Sequence, residues 1–137
     1  MFTFWSRGVA VGMGASTLPL LMALKRRGYI PNGSAVIEIG AQQLDESFVG
    51  ATEDVAATGR FFGVIDPPPA FAWNGPRSET NLLAGAPLAR EFWTWLGLNY
   101  ASIDIDGSPG SIPLDLNYDE VPTEFIGKYA AEWERKN

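Results

Sequence analysis

The feature of this sequence that most restricts its fold is the run Ala35-Val36-Ile37-Glu38-Ile39, which ends at Gly40. The run is short, nearly all apolar and rich in β-branched residues, and it follows a turn sequence at positions 31–34. This pattern is typical of a strand that is buried on both faces, as in a parallel sheet. We therefore expect a parallel sheet at the centre of the fold.

Spacing and end signals predict three helices. The first covers 14–28, where apolar residues recur at helical spacing and a basic triplet, 25–27, lies at the negative end of the helix dipole just before Gly28. A second helix begins at Pro87 and ends at Gly97, and a third covers 122–136. We interpret the basic triplet as a helix C-terminus and not as a phosphate site.

Two more strands are predicted between the second and third helices, at 100–105 and 112–116. The stretch 50–81 contains Asp66-Pro67-Pro68-Pro69, which cannot form regular helix or central strand, so we interpret it as an insertion between the first two strands. The chain then divides into the first helix, a first strand and loop (35–49), the insertion, a helix with the second and third strands (87–118), and the last helix. This alternation predicts an α/β fold in a single domain, 1–137.

Composition removes several kinds of chemistry. The chain has no Cys and no His, which excludes thiolate nucleophiles, disulfides, imidazole bases and the usual zinc ligands, and no D-x-D-x-D-G loop indicates another metal site. A net charge of −6 disfavours nucleic-acid and acidic-membrane partners. The apolar run at 8–24 is short and Gly-rich, and its basic residues lie mainly after it, so we expect a cytoplasmic protein without a signal peptide or a spanning helix.

Polar residues follow each predicted strand at its carboxyl end. Glu38-Ile39-Gly40-Ala41-Gln42 closes the first strand, Asp104 and Asp106 close the second, and Asp115 with Asn117 follows the third. In open parallel sheets, ligands bind beyond these strand ends. A Gly lets the backbone approach a ligand, a carboxylate can accept both ribose hydroxyls, and Asp with Asn offers an acceptor and a donor to an adenine edge. The three ends together predict a nucleotide site. Taken alone, Gly40, Asp106 and Asp115 are better explained by turns or loops and Asp104 equally well by a turn, whereas Glu38 on an apolar strand favours a functional role over exposure on an edge strand.

At these positions the sequence resembles the class I S-adenosylmethionine (SAM) dependent methyltransferases, which have a Rossmann-like fold. Residues 36–42 resemble their first motif, 102–106 their second and 112–117 the next one. The resemblance implies a partial Rossmann-like parallel sheet of about three strands that binds SAM and, in a complete form, transfers its methyl group to an unidentified acceptor. No catalytic residue follows from it. The implied cofactor-binding residues lie on the methionine side (Glu38, Gly40, Ala41 and Gln42), at the ribose (Asp104, with Ile105) and at the adenine (Asp115, with Leu116).

The sequence departs from the family pattern, and two alternatives stay open. The loop has a single Gly, 63 residues separate Gly40 from Asp104, and no fourth strand follows Tyr129. We therefore expect an incomplete, C-terminally truncated domain, and the first alternative is a non-catalytic relative that serves as an interaction module or is inactive. The second is another nucleotide-binding Rossmann-like domain, although the loop lacks G-x-G-x-x-G. A missing neighbour would leave one edge of residues 35–39 open. We expect that the 50–81 insertion or the last helix covers this edge, that it pairs with a second copy of the chain, or that the chain is unstable.

Overall fold

The computed structural model describes the backbone of residues 2–5, together with residues 12–76, 78–80, 82–104, 110–115 and 119–120. In chain order the elements are β1 (Phe2–Trp5), α1 (Thr17–Arg26), β2 (Ala35–Ile39), α2 (Glu46–Gly50), α3 (Thr52–Phe61), α4 (Ala89–Trp95) and β3 (Asn99–Ile103). Helices thus combine with a small parallel sheet, which is the expected α/β class. None of the helices in this described part has the length and apolar character needed to cross a membrane. The predicted helix at 122–136 lies outside the described residues.

Strands β2 and β3 are parallel neighbours, with Val36 opposite Tyr100 and Glu38 opposite Ser102. Because side chains alternate along a strand, these four residues share one face of the sheet. Val36 and Tyr100 belong there to the main core, which also includes residues of α1, α3 and α4. The opposite face carries a smaller cluster, which is formed by Ile37, Ile103 and Leu114.

The other edge of β2 is occupied by β1. The two strands are parallel, with Phe2 opposite Val36 and Trp5 opposite Ile39, and the sheet order is β1-β2-β3. The prediction that one side of residues 35–39 lacks a neighbouring strand was therefore wrong. The sequence analysis missed β1 because a strand of four residues is too short to show a clear period.

The predicted third strand is reduced to one residue pair. Ile112 forms an isolated parallel bridge with Ile103, and residues 113–115 have no strand conformation. Pro113 has no amide hydrogen to donate to a ladder, which explains why the pairing stops there. The second predicted strand is β3, which ends at Ile103, so Asp104 lies just beyond it.

The C-terminus of α1 confirms the interpretation of the basic triplet. The helix ends at Arg26, Arg27 is its C-cap, and Gly28 has a φ of 81°, a left-handed conformation that favours glycine. The Lys25 amine donates to the Ile30 carbonyl at 2.9 Å and to Asn32 Oδ1 at 2.8 Å. It therefore holds the loop that leads into β2.

The stretch 50–81, which was predicted as an insertion, contains a regular helix. It begins with α3, which packs against α1. The segment 61–65 is the end of α3 and the turn after it, and Ile65 is 97% exposed. The prolines that follow exclude regular structure, as expected.

Helix α4 follows the prediction with one correction. Its N-cap is Leu88, so Pro87 precedes the helix and does not open it. The fully buried aromatic residues of this helix are Phe92 and Trp93. The Trp95 side chain is half-buried instead, and its Nε1 donates to the Asp66 carbonyl at 3.2 Å.

Candidate functional site

Glu38 is the most unusual residue of the sheet, because it is a carboxylic acid with no exposed surface. The Tyr100 hydroxyl donates to its Oε1 at 2.5 Å. Its Oε2 is buried and has no hydrogen-bond partner among the described residues. A buried polar oxygen without a partner is costly, so this arrangement indicates a site that a proton, a water or a ligand completes.

Burial raises the pKa of Glu38 from its ordinary value of 4.5 to about 7, and the Tyr100 hydroxyl and the Gln42 backbone amide only partly oppose this rise. Burial also raises the pKa of Tyr100, and the neighbouring Glu38 adds to the effect, whereas Arg90 opposes it. Glu38 therefore exchanges its proton close to neutral pH. It can act as a hydrogen-bond donor when protonated and as an acceptor when ionised.

A small cavity lies beside Tyr100. Its volume of about 10 Å³ is close to that of a single water. The hydroxyls of Ser102 and Ser111 are hydrogen-bonded to each other at 2.6 Å at its wall. The cavity suits one water or one small polar group, and it is lined by Ala41, Gln42, Leu88, Arg90, Tyr100, Ser102 and Ser111.

The ends of β2 and β3 are joined directly. The Gly40 amide donates to the Ile103 carbonyl at 2.6 Å, and Asp104 is the next residue along the chain. Gly40 has a φ of 79°, in which a residue with a Cβ would be strained. A Cβ built at Gly40 would have no atom of the described residues within 4 Å. Among the described residues, none fills the space beside the Gly40 backbone.

The segment that contains Asp115 reaches the same edge of the sheet through Ile112. The Asp104 amide donates to the Ile112 carbonyl at 3.0 Å, and the Ile112 amide donates to the Ser102 carbonyl at 2.9 Å. Three residues further on, the Asp115 amide donates to Asp119 Oδ2 at 2.7 Å. The segments of three predicted site residues (Gly40, Asp104 and Asp115) are thus hydrogen-bonded to one another in series, and Ile105 and Leu116 lie outside the described residues.

A loop of five residues, 41–45, connects Gly40 to helix α2. Helix α2 begins only at Glu46, where Asp45 caps it by accepting from the Phe48 amide at 3.0 Å. Before that point, the Gln42 carbonyl accepts from the Ala89 amide at 2.9 Å, so the loop is tied to the start of α4. A loop, and not a helix N-terminus, therefore follows Gly40.

The sequence analysis missed Tyr100, Ser102 and Arg90 as members of this site. Tyr100 and Ser102 are polar residues two positions apart in a strand, so the alternation was visible. Only the register of β3 against β2 shows that they share the face of Glu38. Arg90 carries no comparable signal, because an exposed charged residue is ordinary in an amphipathic helix.

No group of three or more acidic side chains in the described part of the chain is arranged to hold a metal ion.

Comparisons with other proteins add nothing to this geometry. No family model matches the chain, and searches of curated proteins and of solved structures also find no match.

Proposed function

We propose that this chain binds SAM at the joined ends of β2 and β3, as part of a Rossmann-like methyltransferase domain. The main support is the hydrogen-bonded series in which Gly40 meets Ile103 and Asp104 meets Ile112. Positions with 63 residues between them in the sequence are thereby neighbours at one edge of a parallel sheet. In open α/β sheets this edge is where ligands bind.

The side chains at this edge suit different parts of the cofactor. Asp104 is half-buried, and its carboxylate matches a pair of ribose hydroxyls, while Asp115 matches the amine of adenine. The open backbone at Gly40 suits the methionine part, with Glu38 and Gln42 as polar neighbours. SAM supplies an electrophilic methyl group on a sulfonium, and the contribution of the protein is to hold donor and acceptor in position. No acceptor is assigned.

The size of the small cavity beside Tyr100 limits where the cofactor can bind. A volume of about 10 Å³ excludes any part of adenosine but admits about one water. The proposal therefore has the adenosine outside this cavity, on the open side of Gly40. The cavity itself is assigned to a water beside Tyr100 and the hydroxyls of Ser102 and Ser111.

Calorimetric titration of SAM and of S-adenosylhomocysteine into the purified chain tests the proposal. We expect saturable heat with both ligands, and we expect Asp104→Asn to weaken binding by about tenfold or more. The reason is that a hydrogen bond to a charged carboxylate is worth about 1.5–3 kcal/mol.

The matched control is Asp54→Asn, which changes an exposed carboxylate in the first turn of α3 and should leave the affinity unchanged. The absence of both heat and a thermal shift at millimolar ligand would remove the proposal. Binding that Asp104→Asn does not weaken would instead assign Asp104 to the turn after β3.

A further inference from the structure

A much larger cavity lies elsewhere in the molecule, between the helices α2 and α3 and the proline-rich segment 66–74. Its volume is about 530 Å³. Pockets that bind small organic molecules have volumes of roughly 300–1,000 Å³. None of the residues at the ends of β2 and β3 lines this cavity.

The segment 66–74 forms a wall that is fixed at both ends. At one end the Asp66 carbonyl accepts from Trp95 Nε1 at 3.2 Å, and at the other the Asn74 amide donates to the Gly85 carbonyl at 2.7 Å. Between these anchors, Pro68 and Pro69 restrict the backbone because their rings fix φ. The wall is therefore held in place at both of its ends.

The wall also connects to the core through aromatic contacts. The Phe71 ring meets the Phe48 ring edge-on, with centroids 5.9 Å apart, and Phe48 meets Phe92 in the same way at 4.8 Å. Such contacts favour one arrangement of the rings. Phe71 is thus positioned by the buried core, although one side of it lines the cavity.

The helices contribute small or apolar side chains to the opposite wall, namely those of Val49, Thr52, Val55 and Ala56. No charged residue lines the cavity within the described part of the chain, and Thr52 supplies the one hydroxyl. Its neighbours in the first turn of α3 are Glu53 and Asp54, whose charge disfavours an anionic group near this hydroxyl. A mainly apolar pocket of this kind favours an apolar ligand, because binding removes apolar surface from water.

From these observations we infer that the cavity is a binding site for an uncharged, mainly apolar small molecule, such as an aromatic ring system or a medium-length alkyl chain with one hydroxyl. This inference is independent of SAM binding, because it depends on different residues and on a different part of the chain.

The test uses the neutral fluorescent probe N-phenyl-1-naphthylamine with the full chain. We expect a saturable rise in its fluorescence. Ala56→Trp, which fills the cavity from α3, should weaken probe binding at least tenfold. Ala72→Trp fills the cavity from the segment 66–74 at an exposed position, and it should have the same effect even where Ala56→Trp reduces folding. Ala23→Trp, at an exposed position of α1, is the matched control and should bind as the unchanged chain does.

Competition defines the class of ligand. A ten-carbon alcohol should displace the probe, and the corresponding carboxylate should need at least a tenfold higher concentration at pH 8, because the cavity offers no positive charge. The site is excluded if the unchanged chain shows no saturable signal, or if Ala72→Trp folds and binds the probe normally. Stronger displacement by the carboxylate would overturn the assignment to uncharged ligands.

Discussion

At the scale of single residues, Glu38 decides the chemistry of the main face of the sheet. Its side chain has no exposed surface, and the Tyr100 hydroxyl is bound to one of its oxygens. Burial raises its pKa from 4.5 to about 7, so between these pH values the folded protein retains a proton that the unfolded chain releases. Because the folded state then binds more protons, the free energy of unfolding falls as the pH rises through this window.

Substitution of Glu38 by Gln should remove this pH dependence. Gln keeps the acceptor for Tyr100 but has no proton to lose, so its stability relative to the unchanged chain should rise by roughly 2–3 kcal/mol between pH 5 and pH 8. Urea unfolding of both proteins at the two pH values measures this difference.

The control is Glu53→Gln, at an exposed position of α3, for which the same comparison should change by less than about 0.5 kcal/mol. If the Glu38→Gln difference is the same at both pH values, Glu38 is already ionised in the folded protein at pH 5.

At the scale of secondary-structure elements, the packing of α3 on Trp95 depends on a glycine within the helix. A Cβ built at Gly59 would lie only 2.7 Å from Trp95 Cζ2. The Trp95 ring cannot move away freely, since its Nε1 is bound to the Asp66 carbonyl. The glycine lowers the intrinsic stability of α3 but permits this close approach.

We expect Gly59→Ala to lower the free energy of unfolding by about 1–2 kcal/mol. Overpacking costs about 1–3 kcal/mol and outweighs the gain of up to about 1 kcal/mol in helix propensity. Gly50→Ala is the matched control, because a Cβ at this helical position has no described atom within 4 Å, and it should be neutral or stabilising. Urea unfolding followed by circular dichroism compares the two, and equal effects would show that Trp95 does not restrict α3.

At the scale of the whole molecule, the sheet divides the described residues into two unequal parts. The main core lies on the face of Val36, together with α1, α3 and α4. The opposite face carries only the small cluster around Ile37. Pairing by β1 and β3 protects both edges of β2, so the most apolar strand of the chain has no unpaired edge.

Removal of residues 1–5 should therefore make the chain associate. The deletion leaves the β2 edge without its partner, and an unpaired apolar edge is a template for another chain. Light scattering over a tenfold range of concentration should show the apparent mass of the deletion variant rising by roughly twofold. The apparent mass of the full chain should stay constant over the same range. An unchanged apparent mass together with an unchanged urea midpoint would show that β1 does not protect this edge.

The sequence by itself determined the elements that depend on local chemistry. The buried strand at 35–39, the C-terminus of α1 at Arg26 and Gly28, and the disruption at the prolines after Asp66 all follow from the properties of neighbouring residues. The order of these elements was sufficient to predict the α/β class.

Only the tertiary structure decided which of these elements meet. The contact between Glu38 and Tyr100 joins residues 62 positions apart, and it depends on a strand register that no local pattern encodes. The pairing of β1 with β2 and the apolar cavity beside α3 arise in the same way, from packing between distant segments. Loop closure and long-range packing fix such contacts, whereas propensity and periodicity act only over a few neighbouring residues.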